Sequence, residues 1–156
     1  MQDEALLQQL DGDIDIARQL LELAEQEFQA LSERDLAKLE GILSQTQPLL
    51  ALLGQHGNLR SQWLGEQGLS PNRAGLQQLV AKTALGSRIL EQAGILEAAL
   101  DACRAANERN GRLIRANRAA VGSMLEILQG SSTTPDLYDN RGGTAKTTQQ
   151  RPLSQA

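Results

Sequence analysis

Residues 89–130 read ILEQAGILEAALDACRAANERNGRLIRANRAAVGSMLEILQG. A seam runs through them in alternating steps of four and three: Ile89, Ala93, Leu96, Leu100, Cys103, Asn107, Asn110, Ile114, Asn117, Val121, Met124 and Leu128. Steps of four and three keep one stripe on one side of a helix and are the spacing of coiled-coil packing. The pattern predicts a continuous helix of about 44 residues from Leu85, roughly 65 Å long at 1.5 Å per residue. Three asparagines sit at seam positions, expected off the solvent face, and Gly111 and Gly122 interrupt the helix at about 1 kcal/mol each relative to alanine. Polar seam residues fix register and orientation at some cost in stability. The two glycines are 11 residues apart and share a face, where missing side chains leave room for another backbone, such as that of a partner helix.

Upstream, Leu10, Ile14, Ala17, Leu21, Ala24, Phe28 and Leu31 repeat the same spacing, so a first helix is expected from near Asp3. Ser32 is expected to end it and cap a second, antiparallel helix, with Asp35 three residues on at the positive helix end. That second helix carries Leu36, Leu39, Leu43, Leu50 and Leu53 on one stripe, then Leu59 and Trp63, and Pro48 should kink or divide it. GEQGLSPNRAG (65–75) is a turn-rich connection in which Ser70 and Pro71 are placed to start a short helix. After Gly130 the periodicity stops. The segment SSTTPDLYDNRGGTAKTTQQRPLSQA has little to bury and is expected to be a disordered tail until a partner orders it.

Composition agrees with helix-on-helix packing. The 156 residues are 40% hydrophobic, but Phe28, Trp63 and Tyr138 are the only aromatic residues, so the core must be aliphatic. The expected fold is all-α: an antiparallel bundle of long helices with coiled-coil-like packing over residues 1–130, followed by a flexible C-terminal tail, 131–156. The acidic start, MQDEALLQQLDGD, has neither a basic nor a continuous apolar stretch, so no secretory signal or membrane-spanning helix is expected and the default location is cytoplasmic. Net charge is −4 and unevenly spread. Residues 1–40 hold 11 acidic and 3 basic residues, and residues 107–156 hold 4 and 7.

Chemistry finds little support. Lone Cys103 lies on the seam, where a buried small residue is the simpler reading, and lone His56 has no second His or Cys for a zinc site. Phosphate-loop motifs are missing, and neither a cofactor nor catalysis is expected. Asp11, Asp13 and Asp15, with Glu22 at the twelfth place, match part of a calcium loop. However, the sixth place, where glycine makes the sharp turn, is Ile16 in an unbroken heptad. A solvated acidic face is the expected reading. Arg109, Arg112, Arg115 and Arg118 lack interleaved aromatics for stacking, so pairing with the acidic first helix is preferred to nucleic-acid binding.

The run N-x-x-N-G-x-L-I-x-x-N (Asn107, Asn110, Gly111, Leu113, Ile114, Asn117), the ending L-x-I-L-x-G (Leu125, Ile127, Leu128, Gly130) and the following YD-x-x-G (Tyr138, Asp139, Gly142) resemble the FlgN-type flagellar export chaperones. The resemblance implies a cytoplasmic, non-enzymatic chaperone of type III protein export in flagellum biogenesis. It implies as partners the hook-filament junction (hook-associated) proteins FlgK and FlgL, kept from degradation or premature assembly, and the export gate and ATPase complex that receive them. It marks Asn107, Asn110, Gly111, Leu113, Ile114 and Asn117, with Val121, Met124 and Leu128 as apolar contacts, for cargo binding or for holding the bundle. Tyr138 and Asp139 are implied in gate docking. The competing reading is a structural, self-associating coiled-coil adaptor, because such a seam can be closed within the chain or by a second copy in a homo-oligomer.

Overall fold

The computed structural model describes residues 3–130, which form four helices and, among those residues, no strand. They are α1 (Asp3–Glu33), α2 (Leu36–Glu66), α3 (Arg73–Val80) and α4 (Gly86–Gly130). The chain divides into two units, Met1–Leu113 and Ile114–Ala156. The all-α helical bundle expected from the sequence is observed.

Within the first unit, side-chain pairings give the helix directions. As the α1 partner moves back from Asp13 to Gln9, the α2 partner advances from His56 to Arg60, which makes the two antiparallel. Between α1 and α4 the sequence separation stays nearly constant: 81 for Asp11 with Gln92, 86 for Ala17 with Cys103 and 84 for Glu25 with Arg109. These two helices are therefore parallel. Leu6, Leu10, Ile14 and Ala17 of α1 form the main core with Val80, Ile89 and Leu96, and Trp63 and Leu76 pack against it. Farther along, Ile16, Leu20 and Cys103 form a second cluster and Leu23, Ala30 and Ile42 a third.

The α1–α2 turn departs from the expected cap. Ser32 lies inside α1, its hydroxyl donating to the Phe28 carbonyl at 2.9 Å. Asp35 is the N-cap, its Oδ1 accepting from the Lys38 amide at 3.0 Å. The reason is the way α1 closes: Arg34 turns left-handed at φ 58°, its amide reaching Leu31 O while that of Asp35 reaches Ala30 O at 2.9 Å. This double bond pattern is the Schellman motif. The end of α2 repeats it with Gly68 at φ 71° and Leu69 bonded to Leu64 O, there with the residue that takes positive φ without a Cβ penalty.

Helix α2 bears on two further expectations. Of the two outcomes expected at Pro48, division does not occur, although the Ser44 carbonyl loses its usual i+4 donor. Its leucine stripe is packed only in part: Leu39, Leu53 and Trp63 lie half-buried against the core clusters, Leu36, Leu43, Leu50 and Leu59 are exposed, and the buried residues are Ile42 and Leu64. The face against α1 lies about a quarter turn from Leu36, Leu43 and Leu50 at 100° per residue, and it includes His56 and Arg60, polar residues that a count of apolar positions passes over.

Asp13 explains how those residues can be there. It is fully buried, with Oδ1 2.5 Å from His56 Nδ1 and Oδ2 accepting from Arg60 Nη1 at 2.6 Å; Arg60 also donates to Gln9 at 2.9 Å. The expected solvated acidic face is thus corrected. Successive odd positions diverge around a helix, so Asp11 accepts from Gln92 of α4, Asp13 meets α2, and Asp15 alone of the three is exposed.

α3 starts two residues later than Ser70 and Pro71 suggested. Asn72 is its N-cap, accepting from the Gly75 amide at 3.1 Å. Gly75 is required there, because a Cβ would stand 1.9 Å from the Ser70 carbonyl oxygen.

Candidate functional site

The seam of α4 is observed over the expected length, and its residues have different surroundings. Ile89 and Leu96 are buried in the main core. Cys103 is buried, its thiol donating to the Ala17 carbonyl at 3.2 Å, and burial pushes the thiol pKa up. A raised value disfavours the nucleophilic thiolate.

Asn110 is 1% exposed and binds α4 to α1. Its amide nitrogen donates to Ala24 O at 2.8 Å and to Glu27 Oε1 at 2.6 Å, and its oxygen accepts from Arg109 Nε at 3.3 Å. Arg109 in turn donates through Nη1 to both oxygens of Glu25 at 3.1 and 3.2 Å and lies over the Phe28 ring at 4.0 Å from its centroid. Of the four arginines expected to pair with the acidic first helix, Arg109 does so, whereas Arg112, Arg115 and Arg118 are exposed and have no ion-pair partner among the described residues. A buried amide left unsatisfied costs about 1–3 kcal/mol, so this arrangement strongly favours the observed α1–α4 register.

Asn107 corrects the expectation that all three asparagines leave the solvent face. It is exposed at the rim of a cavity of about 120 Å³ bounded by Leu20, Leu23, Ile42, Thr46 and Leu50. Gly111 and Leu113 are half-buried, and Arg112 is exposed. A larger groove of about 600 Å³ in the first unit is lined by Leu10, Trp63, Leu64, Leu76, Leu96 and Arg104. Among the described residues no group of three or more His, Cys, Asp or Glu is arranged to hold a metal, and no described helix is long and apolar enough to cross a membrane.

In the second unit Ile114 and Asn117 are half-buried, and beyond them the seam is open to solvent: Val121 is 51% exposed, Met124 59% and Leu128 76%. Leu125 and Ile127 are exposed beside them, the latter at 71%, and a Cβ on Gly122 would meet nothing within 4 Å. Side chains of this size give up roughly 1.5–3 kcal/mol each if left in water when they could be buried. An exposed contiguous apolar patch of this kind marks an interaction surface. The resemblance to a known family had marked Val121, Met124 and Leu128. Leu125 and Ile127 belong to its closing motif, which implies no contact role for them, and the signal that adds them is their size and proximity to the seam. Tyr138 and Asp139 lie outside the described residues.

The FlgN protein family model matches residues 1–146. A crystal structure of a flagella synthesis protein FlgN from Pseudomonas aeruginosa is 40% identical in sequence and superposes with a TM-score of 0.69, covering 83% of this chain and 99% of that one. No curated protein matches. A family match over nearly the whole sequence, together with a homologue of the same fold at 40% identity, means that the chain belongs to the FlgN family of flagella synthesis proteins.

Proposed function

We propose that this FlgN-family chain is a cytoplasmic export chaperone that binds the hook-associated junction proteins FlgK and FlgL and delivers them to the flagellar type III export apparatus. It acts by binding alone, without catalysis or cofactor. The observation that carries the reading is the exposure of Val121, Met124, Leu125, Ile127 and Leu128 along one stretch of α4. A client whose assembly segment is itself an amphipathic helix is masked when its apolar side lies against that stretch, the helix-in-groove mode of recognition. Residues 1–130 serve as the helical binding domain and 131–156 as a tail that orders on contact with the export gate, with Tyr138 and Asp139 as the docking pair.

Calorimetric titration of the full chain against C-terminal fragments of the two junction proteins tests this. Saturable binding that a Met124→Ser/Leu128→Ser variant loses, while its circular dichroism and melting are unchanged, is the expected result; binding unaffected by that variant moves the site elsewhere. Gate affinity that survives Tyr138→Ala removes the tail from the docking step.

The second reading, a self-associating coiled-coil adaptor, draws on Leu36, Leu43 and Leu50, exposed at seven-residue intervals on α2. It predicts a concentration-dependent oligomer in light scattering and no heat with either fragment.

A further inference from the structure

The exposed stretch of α4 has two unlike edges. At 100° per residue, Ile114, Val121, Leu125 and Leu128 fall within about 60° of one another, and Arg118 and Arg115 follow on one edge at about 40° and 100° from Ile114. The other edge, past Met124, holds Ala116, Ala120 and Ile127 and carries no charge. Arg115 and Arg118 are both exposed and neither has an ion-pair partner among the described residues, unlike Arg109, which is held by Glu25. Glu126 is the only acidic residue between positions 114 and 130; it lies on the same edge as the arginines, eight residues beyond Arg118.

Charges beside an apolar seam select the partner and its orientation, because each faces the flank of the opposing helix. We propose that the client segment recognised by this stretch is an amphipathic helix carrying carboxylates on one flank of its apolar stripe. At least two, three or four residues apart, are placed to meet Arg115 and Arg118, and the opposite flank is uncharged. The inference rests on the proposed chaperone reading and adds the polarity of the client to it. Arginine suits this task, since its planar fork grips a carboxylate through two donors. Gly122, at about 80° from Ile114 and so between Arg118 and Arg115 around the helix, has no side chain to hold a client backbone away from that edge.

The test uses the full chain and the junction-protein fragments of the preceding titration, at about 0.05 M and about 0.5 M salt. Arg115→Glu/Arg118→Glu is expected to weaken binding about ten-fold at low salt and less than about two-fold at high salt, because exposed charge pairs are screened. Changing the flanking carboxylates of the client helix to lysine should restore affinity to that variant. Wild-type affinity for the arginine variant at low salt, or an equal loss at both salts, overturns the inference. So does an RNA oligonucleotide that binds the wild type through these arginines while client affinity ignores their reversal. If the arginine variant binds normally but Met124→Ser/Leu128→Ser does not, the charge assignment alone falls. If both variants bind normally, the chaperone site on α4 falls with it.

Discussion

Two segments of α4 carry the same spacing and differ in what surrounds them. From Ile89 to Asn110 the seam meets α1, with Ile89, Leu96, Cys103 and Asn110 buried, and the polar member of that set has its hydrogen bonds satisfied. From Val121 to Leu128 the same steps of four and three present side chains at half exposure or more. A repeat therefore specifies that a helix has an adhesive side, and leaves open whether its own chain covers that side. Within the first segment spacing contributes to stability; in the second it remains available for binding.

Substitutions of one residue type at both ends test that contrast most directly. Leu96→Ala should cost about 3–4 kcal/mol, the transfer of a buried side chain plus the cavity left behind, measured by urea unfolding. A loss below about 1 kcal/mol there would mean that the α1–α4 contact is looser than described. Asp13→Ala should cost about 3 kcal/mol, the low end for a broken buried pair, because His56 and Arg60 keep 23% and 19% side-chain exposure and recover some hydration. Asn110→Ala should cost about 2 kcal/mol, removing the buried hydrogen bonds to the Ala24 carbonyl and the Glu27 carboxylate. If this variant melted like the wild type, the hydrogen bonds of Asn110 would add nothing to the packed segment. Arg34→Gly should stabilise by about 1 kcal/mol, since it removes a Cβ from a left-handed residue; a lower melting temperature would point to a contact of the arginine side chain. Leu128→Ala should change stability by less than about 0.5 kcal/mol, and a larger loss would show that the distal segment is packed after all.

Much of the fold was legible in spacing. The extent of α4, the start of α1 and the break between 65 and 75 follow from periodicity and turn residues, because those signals are local. The packed side of α2 was legible only in part, at Leu39, Leu53 and Trp63. Its exposed Leu36, Leu43 and Leu50 recur as regularly as the packed leucines, and the decisive contact is a carboxylate 43 residues from His56 in sequence, Asp13, that makes His56 and Arg60 tolerable inside. No local rule separates Asp13 from Asp15, and only the azimuth of α2 about α1 does. Arg34 was missed for a related reason: a non-glycine residue at positive φ gives no sign in the sequence when it stands where glycine is customary. On the candidate site, Val121, Met124 and Leu128 could be named from the repeat and Leu125 and Ile127 could not, and the different roles of Asn107 and Asn110 required the structure to show one at a cavity rim and the other beneath α1.

The nearly constant offset between α1 and α4 also bears on how the chain finds its fold. Heptad seams repeat themselves, so sliding one helix seven residues past the other preserves most apolar contacts and offers the folding chain a series of near-equivalent wrong alignments. In this bundle such a slide would set Asp11 against Leu85 or Ala99 instead of Gln92, and would bring Cys103 or Asn117 to the place of Asn110. The first strands a carboxylate, and Cys103 offers no amide to Glu27. Polar residues at irregular intervals work here like the unequal notches of a key, turning a ladder of misaligned traps into one preferred docking.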